Sequence, residues 1–138
     1  MHFTPRITLT VCLAILAATT GGCATGGMGR AHTAERNEDY DRAIVEYNKI
    51  LSQDPDDLDA RLALDRAKLR ASQRHFQAGR RLVDAGKLEE ALVEFQLASE
   101  LNPGSGTIME ALQTVRGQLR TKIAVAREGQ TQLEALIE

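Results

Sequence analysis

Cys23 is the residue best placed by type and surroundings to take part in a reaction. It sits in Thr19-Thr20-Gly21-Gly22-Cys23-Ala24-Thr25-Gly26-Gly27-Met28-Gly29, a stretch with five glycines and no charge. A thiol with such small neighbours is open to a peptidase on its N-terminal side and to acylation at sulfur. The other reading is a free thiol in a flexible linker. Further chemistries lack their parts. The second cysteine, Cys12, lies in an apolar run, so a disulfide framework has no support. His2, His32 and His75 share no metal-ligand spacing with a cysteine or carboxylate cluster. His75 reads instead as a packed or half-exposed helix residue. The acidic run Asp54-Pro55-Asp56-Asp57-Leu58-Asp59 fails as a calcium loop. That loop needs an oxygen ligand at its fifth position and Gly at its sixth, where Leu58 and Asp59 stand. It reads as a solvated turn and helix start. The glycines around Cys23 follow no strand, so they do not make a phosphate loop. No Ser/His/Asp or Cys/His arrangement is visible. The expectation is a protein that is not an enzyme, with no cofactor, no metal and no small-molecule substrate. A net charge of −2 gives nucleic-acid binding no global electrostatic support.

The segment that brings Cys23 to its place is apolar. Ile7–Thr19 (ITLTVCLAILAAT) follows Arg6 and precedes small residues. It is too short to span a bilayer comfortably as a helix, and its layout is that of an export signal. Thr20-Gly21-Gly22-Cys23 resembles a bacterial lipobox, with Gly22 and Gly21 fitting and Thr20 departing from the usual Leu. The resemblance implies a lipoprotein signal peptide over 1–22 and a Cys23 that becomes a lipidated N-terminus. The glycines then supply a flexible tether over 23–33. Ala24, in place of the Asp that commonly retains Gram-negative lipoproteins at the inner membrane, implies an outer-membrane lipoprotein facing the periplasm.

Beyond residue 34 the sequence is rich in Ala, Leu, Glu, Arg and Gln, which favour helix. No alternating β-branched run argues for a strand, so the predicted class is all-α. Asn37–Pro55 (NEDYDRAIVEYNKILSQDP) aligns without a gap on Ala85–Pro103 (AGKLEEALVEFQLASELNP), 48 positions on. Ala43 matches Ala91, Tyr47 matches Phe95 and Pro55 matches Pro103. In each copy a small residue admits a neighbouring helix, an aromatic one turn later fills the space beyond, and Pro ends the helix.

These residues resemble the tetratricopeptide repeat (TPR) family. In the second copy His75 (or Phe76), Gly79, Leu82, Gly86, Ala91, Phe95, Ala98 and Pro103 stand in the family's order. In the first, Ala43, Tyr47, Ile50 and Pro55 fit the second helix, while Arg30–Asn37 must serve as the first. The resemblance implies antiparallel helix-turn-helix repeats, about two, in a TPR-like domain over 34–104. An offset of 48 exceeds the 34 of tandem repeats by nearly four helical turns. Asp57–Ala85 is therefore predicted to be one long shared helix, with Leu62, Leu69, Phe76 and Val83 recurring every seven residues. Ile108, Leu112, Val115, Leu119, Ile123, Ala126 and Leu133 then follow helical spacing, predicting an extended C-terminal helix over 105–138.

On the long helix Arg70, Arg74 and Arg81 stand at spacings of four and seven. They form a candidate stripe for an acidic partner or anionic headgroups, against the alternative of a solvated face. Asp59–Gln73, the second repeat and Gly129–Glu138 are also similar to the N-terminal region of bacterial secretin-like proteins. That resemblance implies a membrane-anchored scaffold for protein–protein interactions in secretin, type II secretion or type IV pilus assembly. Its partner would be a peptide or helix held in a groove between repeats. A generic periplasmic lipoprotein assisting outer-membrane or cell-wall assembly stays open, as does the N-terminal fragment of a longer secretin-like protein.

Overall fold

The computed structural model describes residues 22–137, with the side chains of 26–130 and of Leu136. Cys12 and the predicted signal, apart from Gly22, lie outside the described residues. Among the described residues five helices follow one another: α1 Gly22–Arg36, α2 Tyr40–Gln53, α3 Leu58–Asp84, α4 Leu88–Leu101 and α5 Gly106–Ile137. Among the described residues there is no strand, so the chain is all-α as composition predicts. The chain divides into two compact units, one ending at Leu64 and the other beginning at Asp65, within α3. Among the described residues no helix is long and apolar enough to cross a membrane.

In the first unit α1 packs on α2. The tether predicted over 23–33 is corrected here, because Gly22–Arg36 is helical. Glycines weaken an isolated helix, but tertiary packing decides in a folded chain. Gly27 is buried against Ile50, where an added Cβ would stand 3.1 Å from its side chain, and Ala31 and Ala34 are buried as well. The small residues that read as a leash let two helices approach closely. The predicted first helix at Arg30–Asn37 is accordingly the end of a longer one. On α2, Ala43 and Tyr47 are buried, and the Tyr47 ring meets His32 of α1 edge-on at 6.3 Å.

The second unit packs α4 between the later turns of α3 and the first half of α5. Ala91, Phe95, Leu112 and Val115 form its core, with Phe76, Leu82, Val83, Leu88, Leu92, Ala111 and Leu119 against them. Ser72 is buried and donates to the Ala98 carbonyl at 2.7 Å, tying α3 to α4.

The turns of the two units are built from the same bonds, 48 positions apart. Glu38 N–H donates to Glu35 O and Asp39 N–H to Ala34 O; Gly86 N–H donates to Val83 O and Lys87 N–H to Leu82 O. The central residue is left-handed in both, with φ of 57° at Glu38 and 73° at Gly86. Glycine adopts this conformation freely, whereas Glu38 is strained in it. Further on, Asp54 N–H reaches Ile50 O as Asn102 N–H reaches Ala98 O. Asp39 caps α2 through Arg42 N–H, and Asp57 caps α3 by accepting from Ala60 N–H at 2.9 Å.

Along α3 the predicted heptad holds in its second half, where Phe76 and Val83 pack against the core, and not in its first. Leu62 and Leu69 are 53% and 50% exposed, while Ala60, Ala63, Ala67 and Ala71 are buried. Leu64 is buried with them, so the buried row joins small residues at spacings of three and four to one leucine.

Candidate functional site

Residues of all three helices in the second unit form one open groove. From α3 come Phe76, Arg80, Val83 and Asp84, and Phe95 of α4 lies beneath. Thr107, Glu110, Ala111, Thr114, Val115 and Gln118 of α5 complete it. The α5 residues recur at three and four positions, so they are one helix face. The cavity holds about 410 Å³. Its apolar floor suits a partly buried hydrophobic side chain, and the Thr and Gln side chains offer hydrogen bonds to a main chain. Arg80, Asp84 and Glu110 put charge of both signs on the rim. Thr114 Oγ1 donates to Glu110 O at 2.9 Å, leaving its acceptor capacity to the groove.

The repeat residues fall on both sides of this architecture. Gly79, Ala91, Phe95 and Ala98 are buried, and Leu82 is half-buried beside them. In the first unit Ala43 and Tyr47 are buried and Ile50 half-buried, facing α1 through Gly27. Pro55, Pro103 and Gly86 are exposed in turns. Arg61 Nη2 donates to the Pro55 carbonyl. Cys23 belongs to the helical backbone of α1, and its side chain lies outside those described.

Arg70, Arg74 and Arg81 are exposed on α3 and do not line the groove; Arg80 does. Arg81 instead borders a shallower hollow of about 220 Å³ with Gln77, Arg80 and Asp84. Sequence reasoning missed Arg80, Thr107, Glu110, Thr114 and Gln118. The signal available was the 107, 110, 111, 114, 115, 118 spacing, a polar-edged face beside the apolar stripe of α5. His75 is half-buried and its Nδ1 stands 2.7 Å from Glu94 Oε2, joining α3 to α4. Among the described residues no three His, Cys, Asp or Glu side chains are grouped to hold a metal ion.

Electrostatics concentrate in the first unit at Glu46, which is buried on α2. Lys49 Nζ donates to its Oε1 at 2.8 Å and Arg30 Nε of α1 to its Oε2 at 2.9 Å. The Lys49 hydrogen bond, then the Arg30 bond, hold its carboxyl below the usual value of 4.5. In the second unit Lys122 of α5 lowers Glu89 of α4 in the same way, at an exposed site. A pKa depressed by folding stabilises the fold above the unfolded value, and that contribution is lost as pH falls through the folded one. Thermal stability is therefore expected to hold from pH 7 to 5 and to fall below about pH 4.5. Glu46→Gln should be less stable at pH 7 and show a flatter acid limb in melting curves followed by circular dichroism. An unchanged acid limb would show that the clamp contributes nothing.

No protein-family model matches this sequence. The functional reading therefore rests on the groove and on the turn geometry that both units repeat.

Proposed function

We propose that the chain is a lipid-anchored TPR scaffold of the bacterial envelope, which holds a peptide or helix of another protein in its α3–α5 groove. The groove face carries the proposal: an apolar floor with hydrogen-bonding Thr107, Thr114 and Gln118 on its edge and no catalytic constellation among its lining residues. Recurrence of the same turn bonds and of the Ala-then-aromatic pair at a distance of 48 supports the repeat reading. The lipobox-like Thr20-Gly21-Gly22-Cys23 supports the anchor, and similarity to secretin N-terminal regions supports a secretin or pilus-assembly component as partner. Stacked helix pairs recognise partners by apolar anchors and main-chain hydrogen bonds, so the role is binding and not turnover.

The test is affinity capture from envelope extracts with the full chain. Secretin or pilus proteins should co-purify with the wild type and be lost with Thr114→Arg, an exposed substitution that places a long cation in the groove. Arg70→Glu, away from the groove, should retain them. Capture of peptidoglycan enzymes or barrel-assembly proteins would assign the scaffold to envelope assembly instead. Capture indifferent to Thr114→Arg would remove the groove from the reading. In the same extracts Cys23→Ala should move the protein from the membrane to the soluble fraction.

A further inference from the structure

A second hollow, of about 330 Å³, lies wholly in the first unit. Arg30 and Thr33 of α1, Asn37 of the turn and Arg42 of α2 surround it, with Gly26 and Gly29 opening its floor. Arg30 is fixed there by its own ion pair. Its Nε donates to one oxygen of buried Glu46, and Lys49 holds the other. The Arg30 side chain is nevertheless 60% exposed and runs back along α1, so that Nη1 stands 3.6 Å from where a Cβ on Gly26 would be. The carboxylate thus orients the guanidinium and leaves its Nη nitrogens to the hollow. Arg42 is exposed, and among the described residues its guanidinium forms no ion pair. Asp39, the one acid of the lining, is engaged as the cap of α2, where it accepts from the Arg42 main-chain N–H. Arg36 Nη2 donates to Thr33 Oγ1 at 2.8 Å and brings a third guanidinium to the rim.

Guanidiniums beside an open, polar hollow suit phosphate oxygens, which they bind in pairs. Glu46 orients Arg30 in advance, so less side-chain freedom is lost when a ligand binds. We propose that this hollow binds a phosphate ester, held by Arg30 and Arg42, with the Asn37 amide donating to a further oxygen. Arg30, Arg36, Arg42 and Lys49 outweigh Asp39 and Glu46, so the local charge favours an anion. The volume is at the small end of the roughly 300–1,000 Å³ of small-ligand sites, which leaves room for a substituent on the phosphate. That substituent is polar, because Ala34 is the largest apolar residue of the lining. Two carriers offer this chemistry, a phospholipid headgroup and a free phosphate ester. Because α1 is helical from Gly22, Gly26 lies about 4.5 Å along its axis from Cys23. The headgroup layer of one leaflet is about 5–8 Å deep. An acylated Cys23 would therefore hold the Arg30 guanidinium within reach of lipid phosphates, a choice of carrier that rests on the anchor proposed above.

Nuclear magnetic resonance of the full chain, titrated with glycerol phosphate, tests this. Amide shifts should move saturably at Gly26, Gly29 and Asn37 and stay fixed in the second unit, and glycerol alone should move none. Arg42→Gln should weaken binding at least about fivefold. Arg30→Lys should weaken it too, while keeping a cation on Glu46. Arg70→Gln, the same charge change elsewhere on the chain, should leave it unchanged. Sedimentation with phosphatidylglycerol vesicles separates the carriers. The full chain there carries Cys23→Ala, so that binding reads the hollow apart from any acyl anchor, whose own failure shows in the membrane fractionation above. Vesicle binding lost with Arg42→Gln supports the proposal with a headgroup as ligand. Glycerol phosphate binding without Arg42-dependent vesicle binding supports it with a free ester. Failure of both probes to bind in a way that depends on Arg42 would overturn the proposal. So would an equal weakening by Arg70→Gln, the mark of general charge attraction.

Discussion

Phe95→Ala is expected to lower stability by about 3–5 kcal/mol, the range for removing a fully buried aromatic ring from a core. Phe95 is 2% exposed and its ring lies 5.6 Å, centre to centre, from that of Phe76 on α3. Leu112 and Val115 of α5 share its core, so three helices meet at this one side chain. Helices relax as rigid bodies and cannot fill the volume one atom at a time, so most of the cavity should persist. Small domains are stable by only about 5–15 kcal/mol, so the loss is a large share of the total. Urea unfolding followed by circular dichroism measures it. Phe95→Leu should retain most of the stability, because it keeps an apolar side chain of similar reach. A loss below about 1 kcal/mol for Phe95→Ala would mean that the three helices are held together elsewhere. The ring also floors the groove, so Phe95→Ala should abolish partner capture even under conditions where the chain stays folded.

The residues that made this core legible in the sequence are those whose type is dictated by shape. Ala43 and Ala91 are small because another helix passes close, and Tyr47 and Phe95 are aromatic because they fill the space beyond. Such constraints survive as a visible match at an offset of 48. The turns were only half legible. Gly86 announces its left-handed backbone, but Glu38 holds the same conformation with a side chain that gives no sign of it. The chain tolerates local strain there because the helices on either side define the turn.

The helix α1 was hidden for a related reason. Gly26, Gly27 and Gly29 lower intrinsic helicity, and nothing in composition says that Ile50 of α2 waits to cover Gly27. In α3 the heptad of larger residues was the visible apolar row, and its first two members, Leu62 and Leu69, are exposed. Burial went instead to Ala60, Ala63, Leu64, Ala67 and Ala71. The groove residues were the least legible. Thr107, Glu110 and Gln118 look like any solvated helix surface, and only the neighbouring turns of α3 distinguish their face from the rest.

Gly79→Ala should change sign with the residue that faces it. In the wild type an added Cβ at position 79 would lie 2.6 Å from Phe95 Cε1, 2.8 Å from Cδ1 and 3.0 Å from Cζ. Those atoms belong to a rigid, buried ring, so the helices must separate or the ring must leave its position. Overpacking of this kind costs about 1–3 kcal/mol. Against it stands a helix-propensity gain of about 1 kcal/mol, since Gly79 lies well inside α3. The clash wins, and a net destabilisation of about 1–2 kcal/mol is expected. In the Phe95→Ala background the ring is gone, the clash with it, and the propensity gain remains. There Gly79→Ala should stabilise by about 1 kcal/mol. The coupling between the two sites is then about 2–3 kcal/mol, at the upper end for residues in direct contact. Urea unfolding of the wild type, both single variants and the double variant closes the cycle. The same sign in both backgrounds would show that α3 and α4 do not approach through Gly79 and Phe95.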